Sequence, residues 1–446
     1  MENGKGHTVY LLGIGGIGMS ALARYYHSQG CTVAGYDRTP SPLTRQLEQE
    51  GVAIHYEDHP DLLPALIDFV VYTPAVPNDL KEFEALRQKG LPIMKRSEAL
   101  GKVTEGHFTI AISGTHGKTT TTAMVAHILN QCGVATTAFI GGIANNFGSN
   151  LLLSKEKDFV IVVEADEFDH SFLKLHPDVS IVNSIDADHL DIYGDKQHLV
   201  KSFNDFAHLT GKLVVIKEGL DVESDHSVRF GFGEDCDYRV EGVKSERGIT
   251  DFVISNEGQA TEVRLPMAGN HNVLNATAAF IASLQMGLQP QAIADALSTF
   301  KGVKRRFDIR VNNERYCYID DYAHHPEEIR SCLTAVRSAF PEKRITLVFQ
   351  PHLFSRTRDF MDEFASVFAL ADELILLDIY PAREQPIEGI TSAALLGKVP
   401  MNDKRVCPKS ELIGLIEKEK PELLITMGAG DIDRFVEPLE ELIKTW

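Results

Sequence analysis

Short apolar segments alternate with helical patterns along the first hundred residues. Val9–Leu12 and Thr32–Tyr36 have the length of buried strands, and Met19–Ser28 between them has the pattern of a helix. This alternation is typical of a parallel sheet covered by helices. A second series starts at Phe108–Ile112, where a glycine-rich turn is followed by a long helical stretch through Leu129. The pattern therefore predicts an α/β protein.

The middle of the chain has a different pattern. Val228–Leu265 alternates apolar with polar residues and is rich in turns, so it predicts antiparallel strands. A helical pattern returns from Gly269 onward. Arg96–Gly106 is interpreted as a connection, and the basic stretch Lys301–Arg306 precedes a new strand. We therefore expect domain boundaries near residues 104 and 302.

The last third repeats the alternation of strand and helix. Its predicted strands are Tyr316–Ile319, Ile345–Phe349, Glu373–Leu377 and Leu423–Met427. At about 150 residues per domain, a chain of 446 residues suggests three domains. We predict a Rossmann-like domain over residues 1–103, a central P-loop ATPase-like domain over 104–302 and a C-terminal Rossmann-like domain over 303–446. The central domain should combine a parallel sheet with a small antiparallel section.

Composition and charge narrow the function classes. With 44 Lys and Arg against 63 Asp and Glu, the formal net charge is −19, which argues against nucleic-acid binding. Apolar runs such as Phe159–Val163 are too short to span a membrane, and the N-terminus has no signal-peptide pattern. The six cysteines are scattered without CxxC spacing, which favours reduced thiols. We expect a cytoplasmic protein that neither inserts into membranes nor binds nucleic acid.

The first motif is a glycine loop that follows Val9–Leu12 and begins a helix. Gly13, Gly15 and Gly18 have the GxGxxG spacing that lets the backbone approach a diphosphate at the positive end of a helix dipole. Asp37 ends the next strand, about where an acidic residue would meet a ribose hydroxyl. The alternative is a tight strand–helix turn that holds no ligand.

The second motif, Ser113–Thr120, also lies between a strand and a helix. Backbone N–H groups of such a loop surround phosphate oxygens, Lys118 would neutralise the β/γ charge, and the Thr119 hydroxyl would ligate Mg²⁺. The sequence departs from GxxxxGK[ST], since Ile112 occupies the first glycine position. A lysine in a glycine-rich turn followed by four threonines serves no core, so we interpret the loop as a phosphate site.

Carboxylates follow two apolar strands of the central domain. Glu164–Glu167 follows the strand Phe159–Val163, and Asp186–His189 follows Ser180–Val182. Ligands bind open α/β sheets at the carboxyl ends of their strands, and Mg·ATP requires hard oxygen ligands beside its phosphates. Each group taken alone is compatible with solvated loop charges. Their convergence with the phosphate loop predicts a metal site.

A fourth motif, Gly269–Asn275, opens a helix. His271 and Asn275 are four residues apart and share one helix face, where an imidazole and an amide could read an adenine edge. A polar helix start with an asparagine cap explains the spacing equally well.

The last third carries three polar groups near strand ends. Arg305 and Arg306 supply guanidinium groups suited to phosphate oxygens. Asp320–Pro326 follows one apolar strand, and Gln350–Asp359 follows another. Any single His or Arg here could be structural, but three such groups are hard to explain as solvated surface.

Taken together, these motifs resemble the Mur ligase family, which makes the peptide stem of peptidoglycan. The resemblance covers the whole chain in the family's order of domains and rests on GTHGKTT at Gly114–Thr120, EADE at Glu164–Glu167, DADH at Asp186–His189, HNxxN at His271–Asn275 and DDYAHHP at Asp320–Pro326. Within the family, the segments Gly13–Ala23 and Phe349–Phe360 are most similar to those of members that join L-alanine to a sugar nucleotide.

The resemblance implies an ATP-dependent carboxylate–amine ligase in cell-wall synthesis. Its substrates would be UDP-N-acetylmuramate, L-alanine and ATP, with Mg²⁺ as cofactor and an acyl phosphate as intermediate. It would act as a monomer or weak homodimer.

The resemblance also implies roles for individual residues. The sugar nucleotide would be held by Gly13, Gly15, Gly16, Gly18, Asp37 and His116. ATP would be held by Gly114, Thr115, His116, Gly117, Lys118, Thr119, Thr120, His271, Asn275, Arg306 and Asp321. The metal ligands would be Thr119, Glu164 and His189, and the amino acid would meet Tyr322, His324 and Arg356. Lys118, Glu164, His189, Arg306 and His324 would act in catalysis.

Two positions in the last third leave questions open. His324 is a candidate base for the incoming amine, although the neighbouring His325 could equally be placed for it. Some relatives carry Arg where this chain has Leu353, so a second guanidinium contact to the amino-acid carboxylate is not expected here.

Three other functions compete with L-alanine ligation. The nearest is a recycling ligase that attaches the tripeptide L-Ala-γ-D-Glu-diaminopimelate to the same sugar nucleotide. A nicotinamide-dependent oxidoreductase would use the glycine loop and Asp37 but leaves Lys118, Glu164 and His189 unexplained. A regulator that binds nucleotide without catalysis has no need of the polar groups in the last third.

Overall fold

A computed structural model describes residues 6–77, 79–186, 196–382 and 384–446. The chain divides into two compact units. The first comprises Met1–Glu241, Ile254–Thr261 and Leu274–Leu297, and the second comprises Gly242–Val253, Glu262–Val273 and Ser298–Trp446. Among the described residues, no helix is both long and apolar enough to cross a membrane.

The first sheet has five parallel strands in the order β3-β2-β1-β4-β5. The strands are β1 (Thr8–Leu12), β2 (Thr32–Tyr36), β3 (Ala53–His55), β4 (Phe69–Tyr72) and β5 (Ile93–Lys95). The helices are α1 (Ile17–Ser28), α2 (Pro42–Gln49), α3 (Lys81–Gln88) and α4 (Arg96–Thr104). Because β1 pairs with strands on both sides, the loop after it lies where the strand order reverses, which is the ligand-binding position of such sheets.

The second sheet has ten strands in the order β15-β14-β13-β12-β11-β10-β6-β9-β7-β8. They are β6 (Thr109–Ser113), β7 (Thr136–Ala144), β8 (Ser149–Leu152), β9 (Val160–Glu164), β10 (Val179–Val182), β11 (Leu213–Lys217), β12 (Ser227–Gly231), β13 (Tyr238–Glu246), β14 (Ile249–Asn256) and β15 (Gln259–Leu265). The helices are α5 (Lys118–Gln131), α6 (Lys196–His208), α7 (Asn270–Leu284) and α8 (Pro290–Leu297). Strand β6 is parallel to both of its neighbours, β9 and β10, so the carboxyl ends of these three strands meet at one edge.

Two expectations about this part of the chain are wrong. Arg96–Gly106 is not a plain connection, since most of it forms helix α4. The antiparallel section does not begin at Val228, because β12 pairs in parallel with β11 and also with β13. Alternation along a strand reports which side chains are buried and does not report the direction of the neighbouring strand.

The first two sheets share a hydrophobic core. Leu22 of α1, Leu100 of α4, Phe139 of β7 and Phe172 belong to one cluster of buried side chains. A polar bridge adds to this core, since Arg24 Nη1 donates to Asn150 Oδ1 at 2.5 Å and Asn150 Nδ2 donates to the carbonyl oxygen of Ile17 at 2.6 Å. The first sheet and strands β6–β11 of the second sheet are therefore packed on one core.

The third sheet lies in the second unit and has the order β16-β17-β21-β18-β19-β20. Its strands are β16 (Asp308–Asn312), β17 (Cys317–Asp321), β18 (Ile345–Phe349), β19 (Glu373–Leu376), β20 (Lys404–Val406) and β21 (Leu423–Met427). Its helices are α9 (Pro326–Ala339), α10 (Phe354–Asp359), α11 (Met361–Phe368), α12 (Ser392–Lys398), α13 (Leu412–Glu419) and α14 (Val436–Lys444). All pairs are parallel except β16 with β17, so the ends of β17, β21, β18 and β19 share one edge.

Candidate functional site

The glycine loop, residues 13–18, is folded against the end of β2. Gly13 has φ +81°, a conformation that L side chains rarely adopt, and its N–H donates to the carbonyl oxygen of Tyr36 at 2.8 Å. Asp37 Oδ2 accepts the N–H of Gly15 at 2.8 Å, and a Cβ at Gly15 would press against this carboxylate. Asp37 thus holds the loop in place, a role that the expected ribose contact did not include.

The same loop begins helix α1. Gly16 is its N-cap without a side-chain cap, and its carbonyl oxygen accepts the N–H of Ser20 at 2.8 Å. Gly18 lies against Arg96 of helix α4, because a Cβ there would be 2.7 Å from Arg96 Nη1. Arg96 was not predicted as a site residue, because it lies in a segment interpreted as a connection.

The phosphate loop, residues 114–119, joins β6 to α5 through two glycines that have positive φ angles. Gly114 has φ +129° and Gly117 has φ +83°, so both positions favour glycine. A Cβ at Gly117 would be 2.5 Å from Asn275 Oδ1 and 3.1 Å from Asn183 Nδ2. The absence of a side chain at Gly117 therefore lets two amides approach the loop backbone, and Asn183 was not foreseen.

Lys118 is held by groups of its own site. Its Nζ donates to the carbonyl oxygen of Gly114 at 2.7 Å and to both carboxylate oxygens of Glu167 at 2.9 Å. Burial alone would lower the pKa of Lys118, but Glu167, Glu164 and Asp166 outweigh it and raise the pKa. The lysine is therefore cationic, and the fully buried Glu167 is its counter-charge.

Thr119 and Glu164 form the second pair of this site. Thr119 Oγ1 donates to Glu164 Oε2 at 2.9 Å, and the same oxygen accepts the N–H of Gly141 at 3.0 Å. A side chain at Gly141 would overlap the carboxylate, so glycine is required there. The two expected metal ligands are thus adjacent, and Gly141 is a neighbour that the sequence did not indicate.

The end of β10 fixes the other side of the phosphate loop. Thr115 N–H donates to the carbonyl oxygen of Ser184 at 3.1 Å, and His116 N–H donates to Ser184 Oγ at 2.8 Å. His116 Nε2 lies 3.5 Å from Asp186 Oδ2. The expected metal ligand His189 lies outside the described residues.

Three further ATP-site candidates lie on helices α5 and α7. Thr120 is buried, and the neighbouring Thr121 accepts a bond from Asn183 Nδ2 at 2.9 Å. Asn275 contacts the phosphate loop at Gly117, as described above. His271 belongs to the second unit, where burial lowers its pKa to about 4 and keeps the imidazole neutral.

In the second unit, Asp321 ends β17 and organises the loop before it. Its carboxylate accepts the N–H groups of Phe307 and Ala323, each at 2.7 Å. Burial raises the pKa of Asp321 to about 6, while Arg306 and these two N–H groups oppose the rise. The carboxylate expected at ATP thus also holds the segment that carries Arg306.

Arg305 and Arg306 are neighbours in the chain but have different hydrogen-bond partners. Arg305 Nε donates to Asp320 Oδ2 at 3.1 Å and its Nη2 donates to the carbonyl oxygen of Gly428 at 2.5 Å, so this guanidinium ties β17 to the end of β21. Both guanidinium groups lie near the Tyr322 ring, with Arg305 at 5.3 Å and Arg306 at 5.1 Å from its centre. Arg305 is held by these protein partners, so Arg306, the arginine that the resemblance implies at ATP, remains the candidate for a phosphate.

Tyr322, His324, His352 and Arg356 form what we call the C-terminal cluster. The Tyr322 and His324 rings meet edge to face at 5.2 Å, and the His324 and His352 rings meet at 6.0 Å. His324 Nδ1 lies 3.0 Å from the carbonyl oxygen of Tyr322. Because a carbonyl oxygen only accepts, the neutral ring carries its proton on Nδ1 and leaves the Nε2 lone pair available.

His325 is used differently from His324. The backbone N–H groups of both residues donate to Glu328 Oε2, at 3.0 and 3.2 Å, but the His325 ring packs against Phe360 at 4.6 Å. Burial lowers the pKa of His324, which Glu328 opposes, so its imidazole is neutral near pH 7. The geometry favours His324 as the base candidate.

His352 and Arg356 each have a buried polar atom that faces no protein partner. Within the described ranges, neither His352 Nδ1 nor Arg356 Nη1 has a hydrogen bond. Buried polar atoms without partners are uncommon in folded proteins, which makes these two candidate contacts for a ligand. His352 stacks on Tyr380 at 5.7 Å, and sequence reasoning missed it because a single histidine after a strand has no diagnostic spacing.

Leu353 has an unusual backbone. Its φ of +71° is uncommon for a residue with a branched side chain, and it directly precedes helix α10. Its N–H donates to the carbonyl oxygen of Tyr380 at 2.9 Å, and its carbonyl oxygen accepts the Thr357 hydroxyl at 2.8 Å. These bonds fix Arg356, one helical turn further on.

A magnesium ion fits the first of the two sites by its donor chemistry. The part of the chain that the structure describes has no group of three or more His, Cys, Asp or Glu side chains able to hold a metal. Thr119 and Glu164 nevertheless offer a hydroxyl and a carboxylate oxygen beside the phosphate loop. Mg²⁺ binds through one or two such ligands together with substrate phosphates and waters.

Three family models match consecutive parts of the chain. They are described as the Mur ligase family catalytic domain, matched over residues 8–108, the Mur ligase middle domain, over 112–283, and the Mur ligase glutamate ligase domain, over 305–430.

Named relatives match at full length. The UDP-N-acetylmuramate–L-alanine ligase of Cytophaga hutchinsonii is 47% identical, and the match covers 98% of this chain and 97% of the relative. The protein of the same name from Christiangramia forsetii is 46% identical over 97% of each chain.

Solved structures agree with this match. The UDP-N-acetylmuramate–alanine ligase of Thermotoga maritima superposes with a TM-score of 0.85 at 29% identity, covering 98% of this chain and 99% of that one. A murein peptide ligase from Psychrobacter arcticus has the same fold, with a TM-score of 0.74 at 24% identity over 99% of each chain. The predicted α/β fold with three domains is confirmed, and the chain belongs to the Mur ligase family.

Proposed function

We propose that this protein joins L-alanine to the carboxylate of UDP-N-acetylmuramate at the expense of ATP. The observation that carries the proposal is the full-length similarity to ligases of that name, at 41–47% identity. The residues that such a reaction needs are present in both units. The carboxylate oxygen attacks the γ-phosphorus, ADP leaves, and the amine then displaces phosphate from the acyl phosphate.

Lys118 would stabilise the transferring phosphoryl group. Charge builds up on the phosphoryl oxygens in such a transfer, and cations fixed beside them stabilise it. This cation is paired with Glu167, so ATP binding has to draw Lys118 away from the carboxylate toward the phosphates. Backbone N–H groups of the phosphate loop would complete the cradle.

Thr119 and Glu164 would hold Mg²⁺ beside the phosphate loop. When bound, the ion neutralises phosphate charge and fixes the γ-phosphoryl group for in-line attack. The hydrogen bond between Thr119 and Glu164 has to open for this, while the Gly141 N–H keeps the carboxylate in place. His189 remains a candidate third ligand.

The C-terminal cluster would bind L-alanine. The unpartnered Arg356 Nη1 suits the amino-acid carboxylate, and the neutral His324 suits removal of the proton that the amine loses as it attacks. Arg306, beside Tyr322, would supply the guanidinium group that contacts phosphate. The neighbouring Leu353 carries no charge, so Arg356 would bind the carboxylate without a second arginine at that position.

The test is phosphate release from ATP and Mg²⁺ with UDP-N-acetylmuramate and one of two amines. Release with L-alanine, and none with a Lys118→Met variant, is the expected result. Release only with the tripeptide L-Ala-γ-D-Glu-diaminopimelate would replace the proposal with a recycling ligase. Release with neither amine would refute both substrate assignments.

A further inference from the structure

Arg96 is a partly buried cation that belongs to none of the sequence motifs and has no role in the proposed mechanism. It is the first residue of helix α4, and its Nη2 donates to Asp166 Oδ2 at 3.0 Å. Only 27% of the Arg96 side chain and 35% of the Asp166 side chain are exposed. The pair therefore joins the first sheet's last helix to the loop after β9.

One end of this pair rests on the glycine loop. A Cβ at Gly18 would be 2.7 Å from Arg96 Nη1 and 3.1 Å from its Cδ, so the arginine packs directly on the glycine. Any movement of this guanidinium therefore changes the packing of the loop that is proposed to hold the sugar nucleotide.

The other end stands inside the acidic segment Glu164–Glu167. Glu164 accepts the Thr119 hydroxyl, Glu167 accepts Lys118, and Asp166 lies between them in the chain and raises the pKa of Lys118. Asp166 Oδ1 also accepts the N–H of Phe168 at 3.2 Å, which fixes its carboxylate. The position of Asp166 is thus tied to the two groups proposed to meet Mg·ATP.

A cavity of about 120 Å³ lies beside this bridge. Its polar lining is Arg96, Asp166 and Glu164, and its other walls come from helices α1 and α4 and strand β7, including Gly18 and Gly141. The same few side chains therefore face the glycine loop at one end and the metal ligand Glu164 at the other.

We infer that the Arg96–Asp166 pair couples the two nucleotide sites, with Arg96 as a positioning residue. A ligand on the glycine loop fixes Arg96, and Mg·ATP fixes the acidic segment that carries Asp166. Whichever ligand binds first orders the shared pair, so the second binds more tightly. Such coupling is reciprocal and is commonly fivefold or more, as a rough range. This inference rests on the proposed function, since it takes UDP-N-acetylmuramate as the ligand of the glycine loop.

The test is a double-mutant cycle read by calorimetry. The Kd for UDP-N-acetylmuramate is measured with and without Mg²⁺ and the non-hydrolysable analogue β,γ-imido-ATP. The wild-type protein should bind the sugar nucleotide at least about fivefold more tightly when the analogue is present. Arg96→Gln and Asp166→Asn should each bring this ratio close to one, and the double variant should lose no more than either single variant.

Arg24→Gln is the matched control. It removes an ion pair to Glu50 at 2.8 Å and the bond to Asn150, which also bridges the first two sheets, and it touches neither loop. This variant should keep the wild-type ratio. An Arg96→Lys variant, which keeps the charge but lacks the planar fork, should restore part of the coupling.

Three results would overturn the inference. If Arg96→Gln weakens sugar-nucleotide binding without the analogue while Asp166→Asn does not, Arg96 is a direct substrate contact. If both variants lower the melting temperature and leave the ratio unchanged, the pair is only structural. If the two losses add in the double variant, the residues act independently. Failure of the proposed function is separate, because the wild-type protein would then not bind UDP-N-acetylmuramate or release phosphate.

Discussion

The phosphate loop and the C-terminal cluster differ in how their polar side chains are hydrogen-bonded. In the phosphate loop, Lys118 is paired with Glu167, and Thr119 is paired with Glu164. In the C-terminal cluster, His352 Nδ1 and Arg356 Nη1 are buried and, as far as the described residues go, have no hydrogen-bond partner. The polar side chains of the first site are thus hydrogen-bonded to each other, whereas these two atoms of the second site are not bonded to the protein groups that the structure describes.

This difference predicts different binding energetics. ATP and Mg²⁺ have to break internal bonds before new ones form, so part of their interaction energy is offset by the loss of those pairs. An amino acid at the C-terminal cluster meets groups that are already desolvated, and an unmade bond to a buried polar atom costs about 1–3 kcal/mol. Selectivity should therefore be concentrated in the C-terminal cluster.

The largest effect is expected from Lys118→Met. Loss of the cation should lower kcat about 10³-fold or more, since the phosphoryl charge loses its fixed partner. It also removes the counter-charge of the buried Glu167, so the melting temperature should fall as well. Phosphate-release kinetics and thermal unfolding measure the two effects.

A matched control for that variant is Lys212→Met. Lys212 is 60% exposed and paired with Asp178 at 3.4 Å, so its loss should change neither quantity appreciably. A Lys118→Met enzyme that keeps more than a tenth of its activity would contradict the role assigned to the lysine.

The next effect concerns Arg356→Gln. It should raise the KM for L-alanine by about 10- to 100-fold with a much smaller change in the KM for ATP, because a charge-assisted bond to the carboxylate is lost. Arg358→Gln is the control, since Arg358 is 52% exposed and paired with its neighbour Asp359. Equal changes in the two variants, or a loss of kcat at constant KM, would remove Arg356 from the amino-acid site.

Most of the fold was predictable from local pattern. Thr32–Tyr36, Ile345–Phe349 and Leu423–Met427 form strands with the predicted bounds, because strands buried on both faces are continuous apolar runs. Strand partners were harder, as β12 demonstrates, since pairing direction depends on segments distant in the sequence. Helix α4 was missed because it is short and its pattern is weakly periodic.

The candidate sites divide in the same way. Lys118, Thr119 and Glu164 were predictable because a phosphate loop is a local motif and each residue type has a chemical reason to be there. Glu167 as the counter-charge and Gly141 as the support of Glu164 depend on which strands lie side by side. No spacing in the sequence reports such contacts between β6, β7 and β9.

The Gly141→Ala variant tests whether Gly141 holds Glu164, the proposed metal ligand, in place. The added Cβ would overlap Glu164, so the carboxylate has to move away from the Gly141 N–H and from Thr119. We expect the Mg²⁺ concentration for half-maximal activity to rise about tenfold, as for other substitutions beside metal ligands. Gly397→Ala, on helix α12 with open space around its Cα, is the control. An unchanged Mg²⁺ requirement would mean that Glu164 is held by other contacts.

The smallest effect separates the two regions by pH. Burial, together with the neighbouring His324 and Arg356, lowers the pKa of His352 from 6.5 to about 4, and Glu384 opposes this shift. A base whose pKa is lowered by folding contributes its full stability above the pKa of the unfolded state, and this contribution is lost as the pH falls from 6.5 through 4.

His352→Gln should therefore make the melting temperature of the second unit fall less steeply between pH 6.5 and 4 than in the wild-type protein. Asp321 acts with the opposite sign, because its raised pKa of about 6 favours proton uptake by the folded state, but it is the same in both proteins. The exposed His226→Gln is the control and should follow the wild-type curve. If His352→Gln also follows that curve, then His352 is already protonated or already partnered at acidic pH. The contrast between a self-paired phosphate loop and an unsatisfied C-terminal cluster would then rest on Arg356 alone.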